Sequence, residues 1–376
     1  MKNRIFFCIF MPVWIIIIII NFIWPKQVFS EEENRMLATI PNFSFNNFLS
    51  GDYLNGVNSY INDHFAFRNT YLHINSWWEI NVMGKKENNG VYIGKDGYLF
   101  EKFRYTETEK EKVNDNIQTI SSFSQDMNKL NISTYLLIIP NSIYINSDKL
   151  PDGVEVENQE SIINYIYSKS KDTININVTK KVKEENETNP LYFKTDHHFN
   201  SDGAYVAYSE FCKAAQIKAT PLENFEKVNV SNDFLGTFDS KAQILNQKSD
   251  QIFAYQNEIN NNLQEGIYDK EKINTIFNEK YLAGKDKYSY FLNGNNSKVV
   301  IKTKVSNDKK LLVIKDSYAH IMAQFMCQNY KEIHFLDPRY TNFDYAKYAK
   351  ENGITDVVFI YNVSNFTTDT NLNKII

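Results

Sequence analysis

Leu311-Leu312-Val313-Ile314-Lys315-Asp316-Ser317-Tyr318 is the stretch that decides the fold. Four consecutive apolar residues are too few for a helix and do not alternate with polar ones, so they read as a strand buried on both faces. The polar triplet that closes them leads into a helical pattern from Tyr318 to Gln328, which makes a strand-to-helix turn. Other runs share the character: Thr134 to Ile139, closed by Pro140, then Glu332 to Leu336 and Asp356 to Tyr361. A polar helix over about 106–131 precedes the first of them. Short apolar runs separated by helices predict a mostly parallel sheet covered on both faces, an α/β fold.

In open α/β sheets, sites gather beyond the carboxyl ends of the strands, and Ser317 stands at such an end. A serine hydroxyl is a poor nucleophile until an imidazole takes its proton, and the imidazole works best when a carboxylate fixes its tautomer. Asp196-His197-His198-Phe199 supplies both groups. An aspartate two residues before a histidine can accept from its ring and leave the other nitrogen free, so His198 is the expected base and Asp196 its orienter, with His197 pointing away. Backbone N–H groups at the start of the following helix could hold an oxyanion. Two alternatives stand beside this reading. Asp316 or Ser317 can be a helix N-cap, and the histidine pair can be part of a metal site. For a metal the remaining histidines, His64, His73, His320 and His334, are scattered, so no metal and no cofactor is expected. Asp63-His64 also pairs an acid with a histidine, but adjacent helical residues diverge by about 100° and cannot easily form one relay.

The N-terminus bears on the compartment. Residues 5–24 carry no charge, close to the roughly 20 residues that cross a hydrocarbon layer of about 30 Å. Lys2 and Arg4 precede this run, while Glu31, Glu32 and Glu33 follow it, so the positive-inside rule puts the N-terminus in the cytoplasm and the rest outside. A cleaved signal peptide is the alternative, although the run is longer than a usual h-region. The formal charge of -4, with dispersed lysines, excludes a nucleic-acid surface. Cys212 and Cys327 are the thiols beyond the span; they could pair, but two buried free thiols suit a core of this size.

The expected organisation is a cytoplasmic tail (1–4), a transmembrane signal anchor (5–24), a juxtamembrane helical segment (25–90) and a catalytic domain (91–376) with an insertion at about 220–304. Gly90 to Phe100 reads as a hairpin around Lys95-Asp96-Gly97. Few helix signals precede Gln251 in the insertion, and a β ribbon is expected over 288–304.

The stretch Lys194-Thr195-Asp196-His197-His198-Phe199-Asn200-Ser201-Asp202-Gly203-Ala204 resembles the signature of the DHHW proteins, relatives of the alginate O-acetyltransferases. Glu33-Asn34-Arg35, Asp63 to Arg68, Gly97 to Phe100, Phe234 to Thr237, Val313 to Tyr318 and Asp337 to Tyr340 resemble further blocks in the family's order. The resemblance implies an SGNH-hydrolase-like three-layer α/β/α sandwich, with Ser317 as nucleophile, His198 as base and Asp196 as orienter. Phe199 stands where the family's motif has tryptophan, which keeps an aromatic wall and loses the indole donor. Tyr318, Phe199, Asn141 and Tyr361 are candidates for substrate or oxyanion contacts. The implied function is an outward-facing serine O-acetyltransferase or acetylesterase acting on a cell-envelope or exported polysaccharide. A transferase of this kind would need a membrane-bound partner to export its acetyl donor. The rival reading is a non-catalytic envelope protein that keeps the fold and binds glycan or an assembly partner.

Overall fold

The structure, a computed structural model, describes residues 2–375, with side chains from residue 10 onward. Two compact units divide it: residues up to Asn89 together with Ser240–Gln247, and residues Gly90–Asp239 together with Lys248 onward.

In the second unit an eight-stranded sheet runs in the order Glu271–Lys272, Glu265–Tyr268, Lys298–Lys302, Glu332–Leu336, Lys310–Lys315, Asp356–Asn362, Ser133–Ile139, Ile174–Asn177. The five strands from Glu332–Leu336 to Ile174–Asn177 are mutually parallel, and the other three join antiparallel. Successive residues of a strand point to opposite faces, and here both faces are apolar. Leu311 and Val313 enter one core with Leu137 and Val358; Leu312 and Ile314 enter the other with Leu136 and Phe359. Helices Ser201–Ala214 and Tyr318–Met326 cover the first face. Helices Glu107–Lys129, Gln159–Lys169, Tyr345–Glu351 and Val363–Thr368 cover the second. Burial of each such aliphatic side chain contributes about 1.5–3 kcal/mol, which anchors the strand leading to Ser317. The hairpin forms as Val91–Ile93 against Leu99–Glu101. Cys212 and Cys327 are buried free thiols, and burial pushes both up to about 12.

The insertion departs from expectation over 288–304. No ribbon forms over 288–304: Leu292, Asn293 and Gly294 take consecutive positive φ values of 54°, 57° and 72°, a left-handed turn that breaks an extended chain. Lys298–Lys302 instead joins the central sheet against Glu332–Leu336. The polar stretch before Gln251 contains the strand Glu226–Phe234, which pairs with Asp250–Gln256 through two register shifts.

The first unit holds helices Lys2–Ile23, Phe45–Leu49, Asp52–His64 and Arg68–Asn81. Among the described residues no helix is long and apolar enough to cross a membrane; the side chains of residues 5–9 of the expected 5–24 span, Cys8 included, lie outside the described residues. Asp63 and His64 make no relay. Asp63 binds Arg35 at 2.6 Å and accepts from Ala38 N at 2.8 Å, while His64 Nε2 meets Ala38 O at 2.8 Å. Arg68 pairs with Glu33 at 2.5 Å.

Candidate active site

Ser317 follows the strand Lys310–Lys315 and precedes the helix Tyr318–Met326, and it is half-buried. It does not act as the helix cap through its side chain. Asp316 does that work: its Oδ1 accepts from Tyr318 N at 2.9 Å, and its Oδ2 accepts from Asn362 N and Asn365 Nδ2, both at 2.8 Å. Burial raises the Asp316 carboxyl above its ordinary range, and these three donors offset part of that cost. With the cap provided by Asp316, the Ser317 hydroxyl is left for another partner.

That partner is His198, whose Nε2 lies 2.7 Å from Ser317 Oγ although 119 residues separate them in the chain. On the other side of the ring Nδ1 lies 2.6 Å from Asp196 Oδ1, which also accepts from His198 N at 3.0 Å. An ionised carboxylate can only accept, so Nδ1 carries the proton and Nε2 is free to accept from the serine. Burial works against the charge on Asp196, but His197, His198 and the N–H of Thr237 outweigh it and hold the carboxyl well below the usual range. Burial, aided by His197, lowers His198 to about 4 against the pull of Asp196. At neutral pH the ring is uncharged and able to take a proton.

The backbone around Asp196 is fixed from both sides. Asp250 accepts from Lys194 N at 2.9 Å, Thr195 N at 2.8 Å and Thr195 Oγ1 at 2.7 Å. Thr237 N donates to Asp196 Oδ2 at 2.8 Å, and Gly236 packs so close that a Cβ there would lie 2.3 Å from Asp196 Cβ. Tyr288 lies on the face of the His198 ring, centroids 3.6 Å apart and planes 8° from parallel. Behind the turn, Lys315 is buried against His320 at 2.9 Å and Asp337 at 3.5 Å, and Arg339 closes on Asp337 at 2.6 Å.

The expected contact residues fare differently. Phe199 and Tyr318 are buried and meet edge to face, with the Tyr318 hydroxyl donating to His197 O. Both pack beside the centre, Tyr318 with its ring centroid 5.1 Å from that of His198. Strand alternation turns Tyr361 into the core on the other face of the sheet. Asn141 donates from Nδ2 to Asn362 Oδ1 at 3.0 Å, bracing the chain beyond Asp316. Asp196, His197 and His198 bring ligand-type atoms within 4.8 Å of one another; the Asp196 oxygens and both His198 ring nitrogens are already hydrogen-bonded, and His197 Nδ1 lies 3.7 Å from Asp196 Oδ2. Sequence reasoning missed Tyr288 and Asp250 as supports, while Asp316 was among the helix caps it offered. For Gly236 and Thr237 a signal existed in the Phe234 to Thr237 block; for Tyr288, in a polar insertion, none did.

No curated protein matches the chain. Among solved structures it is similar to a DHHW family protein from Eubacterium siraeum, with a TM-score of 0.66 at 22% identity, covering 76% of this chain and 95% of that one. Bacillus cereus PatB1 gives 0.65 at 24%, covering 75% and 98%, and has also been solved with a sulfonyl adduct. The O-acetyltransferase domain of Pseudomonas putida AlgJ gives 0.50 at 14%, covering 74% and 93%. These likenesses show a shared mixed α/β fold around a mostly parallel sheet. A family model described as DHHW protein matches residues 84–336, more than half of the sequence, and the chain therefore belongs to the DHHW family, related to the alginate O-acetyltransferases.

Proposed function

We propose that the protein is a serine O-acetyltransferase, or an acetylesterase, acting on a cell-envelope or exported polysaccharide. The observation that carries the reading is the unbroken line from Asp196 through His198 to Ser317 Oγ, with bonds of 2.6 and 2.7 Å. In this reading Ser317 Oγ attacks the carbonyl of an acetyl donor while His198 Nε2 takes its proton. The tetrahedral oxyanion is held by backbone N–H groups around Ser317 at the start of helix Tyr318–Met326, other than those of Tyr318 and His320, which already bond Asp316 Oδ1 and Ser317 O. Collapse expels the donor's leaving group, which takes the proton from His198, and leaves an acetyl-enzyme. A sugar hydroxyl then attacks that ester, passing its proton to His198, and the proton returns to Ser317 as the new ester leaves; water in the same position gives acetate.

The SGNH-hydrolase-like three-layer sandwich is the fold reading attached to this chemistry. The AlgJ domain supports an O-acetyl transfer, and the sulfonyl adduct of PatB1 suits a fold that carries a reactive nucleophile. We also assign residues 5–24 as an uncleaved anchor with the N-terminus inside, since the stretch is uncharged and flanked by Lys2 and Arg4 on one side and Glu31 to Glu33 on the other. The body would then face outward, and a membrane-bound partner would supply acetyl groups across the bilayer.

Turnover of a chromogenic acetyl ester tests the reaction. Ser317→Ala is expected to lose activity by about a thousandfold or more, and a fluorophosphonate should label Ser317 in the wild type but not in His198→Ala. Equal turnover in wild type and Ser317→Ala would favour a glycan-binding protein that keeps the fold without the chemistry.

A further inference from the structure

Tyr288 belongs to the short helical turn Lys287–Tyr290 in the polar insertion, far in sequence from both Asp196-His197-His198 and Ser317. Its ring is stacked on His198 as described, its hydroxyl donates to Ser317 O at 3.0 Å, and it is 4% exposed. The turn that carries it is strapped to the corner supporting Asp196. Lys287 Nζ reaches Asp233 at 2.6 Å and Lys285 Nζ reaches Asp239 at 2.7 Å, and these two aspartates flank Gly236-Thr237. The opposite face of the His198 ring is occupied by His197, centroids 3.8 Å apart at 37°, and Tyr318 stands 5.1 Å away.

We propose that Tyr288 is a positioning residue for this centre, holding the plane of the His198 ring with its own ring and the Ser317 turn with its hydroxyl, so that base and nucleophile share one support. The role rests on the reading of His198 as the base. With both faces of the imidazole covered, the ring cannot rotate away from Ser317 without displacing an aromatic neighbour, and water is kept from its faces, where it would solvate a positive charge. The groups that face His198 are Asp196 and His197 from its own loop, Tyr288 from the insertion, Ser317 and Tyr318 from the strand-to-helix turn, and Arg339 acting from beyond the strand Glu332–Leu336. Asp196 favours the protonated ring; His197, Arg339 and burial oppose it.

The full chain with two substitutions tests this. Tyr288→Ala removes both contacts and opens the ring to water; Tyr288→Phe keeps the stack and drops the hydroxyl. On a chromogenic acetyl ester, Tyr288→Ala should lower kcat about a hundredfold, with KM within about threefold, because a catalytic group displaced by about 1 Å costs that much. Tyr288→Phe should lose about tenfold or less, the worth of one hydrogen bond. The acid limb of kcat/KM should stay in place in Tyr288→Phe and move upward by about one pH unit or more in Tyr288→Ala. The ring titration is also read without turnover, by NMR of His198 in Ser317→Ala with and without Tyr288→Ala. Failure of the acyl-transfer reading would leave all the proteins inactive yet leave this titration intact, so the two failures are distinguishable. The role is overturned by equal His198 titration in the two Ser317→Ala proteins, or by a Tyr288→Ala kcat within about threefold of wild type. If Tyr288→Ala does not fold, Tyr288→Phe decides: an unmoved acid limb supports the role and a shifted one overturns it.

Discussion

Gly236→Ala offers a test of the support beneath Asp196 that leaves Asp196, His198 and Ser317 themselves unsubstituted. The added Cβ would fall 2.3 Å from Asp196 Cβ, 2.5 Å from its Oδ2 and 2.7 Å from its Cγ. Carbon atoms in contact sit at about 3.5–4.0 Å, so the shortfall at Cβ alone exceeds about 1 Å. Asp196 cannot swing aside freely, since Oδ1 accepts from His198 N and Nδ1 and Oδ2 accepts from Thr237 N. The carboxylate must therefore move by about 1 Å and carry the imidazole with it. A displacement of that size costs about a hundredfold in kcat, and overpacking costs about 1–3 kcal/mol in stability. Gly284→Ala is the control, because the nearest atom to a Cβ there is Tyr281 O at 3.9 Å. The assay is kcat on a chromogenic acetyl ester alongside thermal melts, at a temperature where both variants are folded. A Gly236→Ala enzyme with a kcat within about threefold of wild type would show that the contact does not set the geometry of the base.

Two further outcomes follow from the same contacts. His198 is held neutral in the folded protein, lowered from 6.5 to about 4, whereas the unfolded chain takes up a proton through the ordinary range. Its contribution is thus complete above about pH 6.5 and is lost as pH falls toward about 4, with a ceiling of about 3 kcal/mol. Thermal midpoints of wild type and His198→Gln between pH 4 and 8 should converge as the medium is acidified; parallel curves would refute the burial argument. Dialysis against a chelator should leave ester turnover within about twofold of the starting value, since the reaction needs only a serine, an imidazole and a carboxylate. Loss of activity restored by zinc would move the reading to a metal-assisted hydrolase built on Asp196 and His198.

Local chemistry was legible in the sequence wherever neighbours along the chain did the work. Leu311 to Ile314 is apolar on both sides of a two-residue period, so a doubly buried strand follows from the residues alone. Asp196 and His198 stand two apart, a spacing that allows the bond between them before any fold is known. The rest depended on distant stretches. Glu226–Phe234 is a strand because it pairs with Asp250–Gln256, not because its polar residues favour one. Phe199, Tyr318 and Tyr361 are aromatic residues of similar character, and only the order and register of the strands decide which lie beside the centre and which turn to the far core.

The amino-acid order by itself determined the α/β class, the placing of Ser317 at a strand end and the local pairing of Asp196 with His198, because periodicity and short-range hydrogen bonds are properties of adjacent residues. Tertiary structure alone decided that His198 reaches Ser317, that Gly236 and Asp250 clamp the loop between them, and that Tyr288 covers the ring. Those contacts are fixed by how strands order and register across one sheet, a choice made by the packing of the whole core and written in no single segment.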